Sequence, residues 1–419
     1  MPAPLFEQIA EGIRQQMAVL EEPREFIPGK TRIPLNVPTY GAPEVIEALD
    51  SLMSTWVTMG KKVKNFEAMF ADYVGPHYGI MVNSGSSANL LALSVLGLKP
   101  GDEVITPALT WATSVFPIIQ LGAVPVLVDV ERDSYNVDPW AIESAITPRT
   151  KAIMPVHLLG NPCDMDAITQ IATEFGLSVM EDSCEAHGAE YHGRKVGSFG
   201  DISTFSFFFS HHISTIEGGM ILTDNEEYVD QLRSLRAHGW VRDMSNRAEI
   251  ADNNPEIDPR FMFAHVGYNF RPTEIQGAFG IHQLPRLDGF IDVRRGNAAY
   301  FNKALAPYEK WLMLPSEAPH TRHAHFAYPF LVRENAPFSR NELMQYLESK
   351  GVETRPIEAG NMAWQPAMRG VNYRAESLPN TEYIHMNSFF FGNHHGIGEI
   401  ERASIADYFH EFFRERGVL

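Results

Sequence analysis

Apolar residues open the chain at helical spacing, with Phe6, Ile9, Ile13, Met17 and Leu20 on one face, which predicts an amphipathic helix over residues 5–20. Pro23, Pro28 and Gly29 then break it. From about residue 60 to 225 the pattern changes to short apolar runs separated by longer amphipathic stretches. Glu103–Pro107, Val124–Val130, Ala152–Val156, Leu177–Glu181 and Gly219–Leu222 read as buried strands, while Pro139–Ile146 and Met165–Phe175 have helical length. Such alternation predicts an α/β fold whose mainly parallel sheet is covered on both faces. A long helical pattern over Leu287–Leu305 starts a second, mixed region, and Ile405, Tyr408, Phe409 and Phe412 line one face of a closing helix over Ile400–Phe413. The pattern thus divides the chain into a lead-in (1–34), a large domain (35–290) and a smaller C-terminal α/β domain (291–419), with the lead-in helix packed on the small domain.

Charge and cysteine content narrow the function classes. The 419 residues carry 34 Lys and Arg against 52 Asp and Glu, a net charge of −18, with no basic block. Duplex binding needs clustered cations, so nucleic acid is not an expected partner. Cys163 and Cys184 are the only cysteines. They cannot build a disulfide framework or hold an iron–sulfur cluster by four thiolates, and they fit a reducing cytosol. Residues 1–4 show no basic region leading into an apolar run, so no signal peptide is expected. The most apolar stretch, Val115–Val128, is broken by Pro117, Gln120, Gly122 and Pro125, too short to span a bilayer. A cytoplasmic protein without membrane partners is expected.

Three segments carry candidate chemistry. Asn83-Ser84-Gly85-Ser86-Ser87-Ala88-Asn89 follows an apolar run and opens a Leu/Ala-rich helix. Free N–H groups and hydroxyls at a helix start suit a phosphate dianion, although the same residues serve as an ordinary helix cap. Glu181-Asp182-Ser183-Cys184-Glu185 lies where an apolar strand ends, the edge at which α/β sheets bind ligands. A carboxylate there either holds a proton on a heteroaromatic nitrogen or caps a helix. The third segment runs from Gly200 to Ile213 through Phe205-Ser206-Phe207-Phe208-Phe209-Ser210-His211-His212, with Glu217-Gly218-Gly219 after it. Adjacent histidines rarely converge on one metal ion without further ligands, so no metal site is expected.

In order and spacing these segments resemble the sugar aminotransferase family of pyridoxal-phosphate enzymes, which work on nucleotide-linked keto sugars. The resemblance runs from about Ile33 to the C-terminus and adds Thr110-Trp111-Ala112-Thr113-Ser114, Arg236-Ala237-His238-Gly239-Trp240, Gly267–Pro272 and Val293–Tyr300. Glu353-Thr354-Arg355-Pro356 with Gly360-Asn361 is a weaker match. It implies a pyridoxal-phosphate-dependent transferase fold of type I, like aspartate aminotransferase. It also implies a homodimer with shared active sites. Where aminotransferases of the family carry the lysine that bonds the cofactor covalently, this chain has His211, as in the family's 3-dehydratase subgroup. Phe209-Ser210 and Ile216 depart from the wider family, which often has Pro followed by a small residue, and glycine, at these places.

Imidazole forms no stable Schiff base, so the cofactor would be held without a covalent bond, while histidine still moves a proton near neutral pH. The resemblance implies that glutamate converts pyridoxal 5′-phosphate to pyridoxamine 5′-phosphate. The C3 hydroxyl of a nucleotide-linked 4-keto-6-deoxyhexose, GDP-linked in the nearest subgroup, is then lost, giving a 3-deoxy-4-keto sugar and ammonia. The same chemistry on a CDP- or dTDP-linked sugar, or a catalytically silent binding subunit, are the other readings. Carried over by motif, Gly85, Ser86 and Ser206 hold the phosphate, Trp111 stacks on the ring, Asp182 meets the pyridine nitrogen and Glu185 the ring hydroxyl. Asn269 and His238 come from the second subunit, His238 and His211 being the catalytic pair. Arg355 and Asn361 face the substrate.

Overall fold

The computed structural model describes residues 3–21 and 25–417, so the break expected at Pro23 lies outside the described residues. An eight-stranded sheet forms the centre of the molecule. In chain order its strands are β1 (Tyr78–Val82), β2 (Glu103–Pro107), β3 (Val124–Val128), β4 (Thr150–Ile153), β5 (Ser178–Asp182), β6 (Ile202–Ser206) and β7 (Gly219–Thr223). A later strand, here β11, completes it at Arg374–Ala375. Their order across the sheet is β1-β7-β6-β5-β4-β2-β3-β11. Only β7 runs against its neighbours, β1 and β6; the other pairs are parallel. Strands β2, β3, β6 and β7 are buried at every position, as expected where helices cover both faces.

Helices α1 (Ala3–Glu21), α2 (Ala42–Met53), α3 (Lys61–Val74), α4 (Gly85–Ser94), α5 (Ala112–Gln120), α6 (Pro139–Ser144), α7 (Met165–Phe175) and α8 (Glu226–Arg236) surround this sheet in chain order. Their ends follow local chemistry. Ser84 caps α4 by accepting from the Ser87 amide at 3.1 Å. Asp164 caps α7, which stops at Gly176 in the left-handed conformation. Helix α9 (Glu274–Gln283) packs on α2 and α3. The expectation that α1 joins the C-terminal region is corrected: its main contact is with α2, and Ala10 is its one buried residue among those described. Its apolar stripe meets one helix and is otherwise exposed, as at Leu5 and Ile9.

Helix α10 (Leu287–Leu305) runs through the expected boundary near residue 290 and leads into a four-stranded antiparallel sheet. That sheet contains β8 (Leu312–Met313), β9 (Ala327–Val332), β10 (Thr354–Pro356) and β12 (Ser388–Gly392), in the order β8-β9-β12-β10. Helices α11 (Arg340–Ser349) and α12 (Glu399–Glu415) pack with it. Because β11 returns to pair with β3, chain from beyond residue 290 forms an edge of the large sheet. Ile33, from the lead-in, is buried in the C-terminal core and its amide donates to the Gly351 carbonyl at 2.9 Å. Among the described residues no helix is long and apolar enough to cross a membrane.

Aromatic side chains fill the C-terminal core: Phe301, Tyr328, Phe330, Phe389, Phe391, Phe409 and Phe412 are all fully buried. Phe409, from α12, places its ring 5.1 Å from Phe330 on β9. Truncating it leaves a cavity that the surrounding rings fill only in part. Phe409→Ala is expected to lower unfolding stability by about 3–5 kcal/mol, read from urea denaturation, and a loss below about 1 kcal/mol would contradict this packing.

Candidate active site

Strand ends and helix starts converge on a cavity of about 550 Å³. Its walls include Gly85, Ser86, Trp111, Asp182, Glu185, Ser206, His211 and Arg355. The large sheet supplies Asp182 at the end of β5 and Ser206 at the end of β6, the edge at which such folds bind ligands. Side chains alternate along a strand, so Glu181 and Asp182 face opposite ways. Glu181 is fully buried and accepts from the amides of Gly197, Phe199 and Gly200 at 2.6–2.7 Å and from His157 at 3.1 Å. Although burial alone would raise it, these donors hold Glu181 below the usual carboxylate range. It fixes the turn that feeds β6. Asp182 instead lines the cavity, accepting from Asn89 at 3.0 Å, from Ser114 at 2.8 Å and from the Cys184 amide at 3.2 Å.

Those donors fix the orientation of the Asp182 carboxyl group at the cavity wall. Asn89 and Ser114 lie inside the SGSSAN and TWATS segments, yet no sequence signal separates them from helix residues; strand-to-helix packing brings them to Asp182. Trp111, at the start of α5, is 56% exposed with its indole at the cavity wall. An aromatic face left open to a cavity is a platform for a planar ring rather than core packing.

The first turn of α4 forms the opposite kind of feature, a small-residue cradle. A Cβ at Gly85 would lie 2.5 Å from the Cβ of Ser206, and one at Gly219 would lie 2.3 Å from the Ser84 carbonyl oxygen. Only glycine permits this approach of α4 to β6 and β7. Free amides at the start of α4 and the Ser86 and Ser206 hydroxyls are donors for a phosphate. Ring platform, fixed carboxylate and phosphate cradle share one cavity, so the residues present fit pyridoxal phosphate.

His211 lies on the loop between β6 and β7 and lines the cavity. The loop is held by Phe207, whose amide donates to Gly218 and whose carbonyl accepts from Thr215. Ile216 takes a left-handed φ of 73°, a strained place for a β-branched residue. Burial, and then the nearby Arg294 charge, pull the His211 imidazole down to about 3, so the side chain is neutral at physiological pH. Among the described residues its Nδ1 has no hydrogen-bond partner. The His212 ring meets the Ala324 carbonyl at 3.2 Å. Arg294 is fully buried, donates to the carbonyls of Phe326 and Asn393, and burial lowers it to about 9.

Three expected site residues lie elsewhere in this chain. Asn269 and His238 are exposed and gather around Arg271, whose Nε donates to Asn269 Oδ1 at 3.0 Å and whose Nη2 is 3.3 Å from His238 Nε2. Neither lines the cavity. Asn361 is fully buried, and its Oδ1 accepts from the Ala363 amide at 3.0 Å, capping a short helical turn. It borders a second depression of about 370 Å³ beside Trp364 and Tyr373. Arg355 does line the cavity, paired with Glu353 at 3.1 Å. Glu358, three residues further, lines it as well. No periodicity or spacing marks that residue.

A model of the DegT/DnrJ/EryC1/StrS aminotransferase family matches residues 39–409. The chain belongs to this family. As a family member it is a pyridoxal-phosphate enzyme with the aminotransferase fold. It is 40% identical over 372 residues to GDP-4-keto-6-deoxy-D-mannose 3-dehydratase of Yersinia pseudotuberculosis, covering 86% of this chain and 94% of that one. A crystal structure of a GDP-4-keto-6-deoxymannose-3-dehydratase histidine-to-asparagine mutant with bound GDP-perosamine superposes with a TM-score of 0.84 at 37% identity, covering 90% of this chain and 99% of that chain. Another, of the same enzyme with a trapped PLP-glutamate geminal diamine, gives 0.82 at 36% identity, with 90% and 99% covered.

Histidine burial in this family member has a consequence for stability. His187, His212, His323, His325 and His394 are buried, and burial drives each below its ordinary value, His325 and His394 to about 3. Unfolded, these imidazoles titrate near 6.5. Below that pH the unfolded chain binds protons that the folded chain refuses, so stability falls as pH falls. Each contributes a slope of up to about 1.4 kcal/mol per pH unit between the two values. The unfolding midpoint is expected to drop steeply from pH 6.5 to pH 5; a flat profile in calorimetry over that range would contradict neutral burial.

Proposed function

We propose that the chain removes the C3 hydroxyl from a GDP-linked 4-keto-6-deoxyhexose, with glutamate as amino donor, giving a 3-deoxy-4-keto sugar and ammonia. The observation that carries this reading is an imidazole, His211, on the cavity wall where aminotransferases of the family have their lysine. Similarity to two GDP-4-keto-6-deoxymannose 3-dehydratase structures supports the substrate class.

Bound in this cavity, pyridoxal phosphate and its amine form supply an amine for the sugar ketone and a ring that accepts electrons. Gly85, Ser86 and Ser206 bind the phosphate. Trp111 holds the ring face, and Asp182 keeps the ring nitrogen protonated through its fixed charge. Glu185 meets the ring hydroxyl. Neutral at rest, His211 accepts the proton removed from carbon and can return it, which a lysine committed to a covalent bond does only after release. Arg355 offers a cation to the substrate at the cavity mouth. Glutamate and the nucleotide sugar use the cavity in turn.

Two copies complete the site in this reading. Asn269, His238 and Arg271 cluster on a surface with exposed Phe261, Phe263 and Val266, apolar residues suited to burial against a second copy. From the partner, Asn269 reaches the phosphate and His238 the reacting sugar.

Two outcomes test this reading. His211→Asn is expected to keep bound cofactor and lose deoxygenation, assayed by loss of one oxygen mass and release of ammonia across GDP-, CDP- and dTDP-linked 4-keto-6-deoxyhexoses. Undiminished turnover removes His211 from the chemistry, and preference for a CDP or dTDP sugar corrects the nucleotide. Mixing His211→Asn chains with Asn269→Ala chains is expected to restore activity that neither has alone, because one site of each mixed dimer is intact. A mixture as inactive as its components would place Asn269 outside the partner's site.

A further inference from the structure

One buried amide joins the four elements that carry the cofactor-facing residues. Asn89 lies one turn along α4 from Gly85, on the same helix face, and is fully buried. Its Nδ2 donates to the Thr113 carbonyl at 3.0 Å, in the first turn of α5 beside Trp111, and to Asp182 Oδ2 on β5 at 3.0 Å. On the other side its Oδ1 accepts from the Thr204 hydroxyl at 2.6 Å. Thr204 sits on β6 two residues before Ser206, so both share one face of that strand. Phosphate cradle, ring platform, carboxyl group and Ser206 strand are thus tied to a single side chain.

These partners settle which way the amide points. Both groups on the Nδ2 side accept, while Thr204 has a hydrogen to give, so turning the amide over would break all three bonds. A second donor reaches the same carboxyl oxygen: the Ser114 hydroxyl, 2.8 Å from Asp182 Oδ2. The single hydrogen of Ser114 is committed there, so the Thr110 hydroxyl, 2.9 Å from Ser114 Oγ, is the donor of that pair. Thr110, Ser114 and Thr204 are all buried, and in such surroundings a lost partner costs the desolvation of the group left behind.

Asp182 is therefore used unevenly. Its Oδ2 takes two donors, Asn89 and Ser114, whereas Oδ1 takes one, the Cys184 amide at 3.2 Å. A carboxyl oxygen accepts two hydrogen bonds, so Oδ2 is filled and Oδ1 keeps room for one more. We propose that Asn89 is the positioning residue of the cofactor site: with Ser114 it occupies Oδ2 of Asp182 and so presents Oδ1 to the ring nitrogen of pyridoxal phosphate. This role rests on the reading above in which Asp182 meets that nitrogen. Through its bond to Thr113 the same amide holds the start of α5, and with it Trp111, in a fixed relation to the carboxyl group.

Competition between pyridoxal phosphate and its 1-deaza analogue, which has C–H in place of the ring nitrogen, isolates this contact. Phosphate, ring hydroxyl and aldehyde are the same in both. Equilibrium dialysis of the full-length chain against the two reads the ratio of their dissociation constants. The native chain is expected to favour the nitrogen-bearing cofactor by about tenfold to a hundredfold, the range of a hydrogen bond to a charged group. Asn89→Leu keeps the size of the side chain and removes its amide, which cuts that ratio by about three- to tenfold. Ser114→Ala removes the other donor and cuts it by about twofold or more. Affinity for the 1-deaza analogue stays within about twofold of native in both variants, because the bonds removed serve only the nitrogen contact.

A merely structural role would weaken both cofactors alike. Equal losses, or an unchanged ratio in either folded variant, overturn the proposal, and Asp182 then keeps its place at the ring nitrogen without needing Asn89. If Asn89→Leu does not fold, Ser114→Ala decides. A native chain without preference removes Asp182 itself from the ring nitrogen, and the positioning role falls with it.

Discussion

Burial of the His211 imidazole, next to a guanidinium that has no carboxylate partner among the described residues, sets the chemistry of this cavity. Arg294 spends its hydrogen bonds on two backbone carbonyls, and the charge it keeps makes a second nearby cation unfavourable. Burial first, with the Arg294 charge added to it, leaves His187, His211 and His212 uncharged, the His187 ring lying 5.9 Å from that of His211 and 5.5 Å from that of His212. A lysine at position 211 would have to carry or shed a charge in that environment; an imidazole is at home there as a neutral acceptor. The substitution that separates this chain from the aminotransferases is therefore matched to its surroundings.

Around that point the fold distributes roles by simple geometry. Parallel strands end together, so β5 and β6 deliver Asp182 and Ser206 to one edge, and α4 begins against them because glycine at 85 and 219 lets backbones meet. The second sheet closes the cavity from the other side with Arg355 and Glu358. Two layers distant in sequence thus define one space, and a cluster that joins Leu109, Val130 and Val156 to Ala327, Leu331 and Ile357 packs one against the other.

Much of this was legible beforehand, and the reasons differ by element. Helices over Met165–Phe175 and Leu287–Leu305 coincide with expectation because their apolar faces are complete, and the first is also marked at its ends by Asp164 and Gly176. The strand expected at Ala152–Val156 instead spans Thr150–Ile153, since an all-apolar run cannot show where pairing stops. Strand β6 hid within an aromatic-rich segment that read only as chemistry. Gly85, Trp111, Asp182, Ser206 and His211 announced themselves through motif order. Glu358 did not, because only the second layer brings it to the cavity wall. Asn361 misled for the reverse reason: a polar residue near Arg355 turned inward to cap a turn.

The central claim is that the B6 cofactor sits beside a neutral imidazole and is never covalently attached to the native chain. Intact-protein mass after borohydride treatment of the cofactor-loaded native protein, with His211→Lys in parallel, tests it most directly. The account predicts an unmodified mass for the native chain and a pyridoxyl adduct for the lysine variant. A stable adduct on the native chain, or none on the variant, would contradict it.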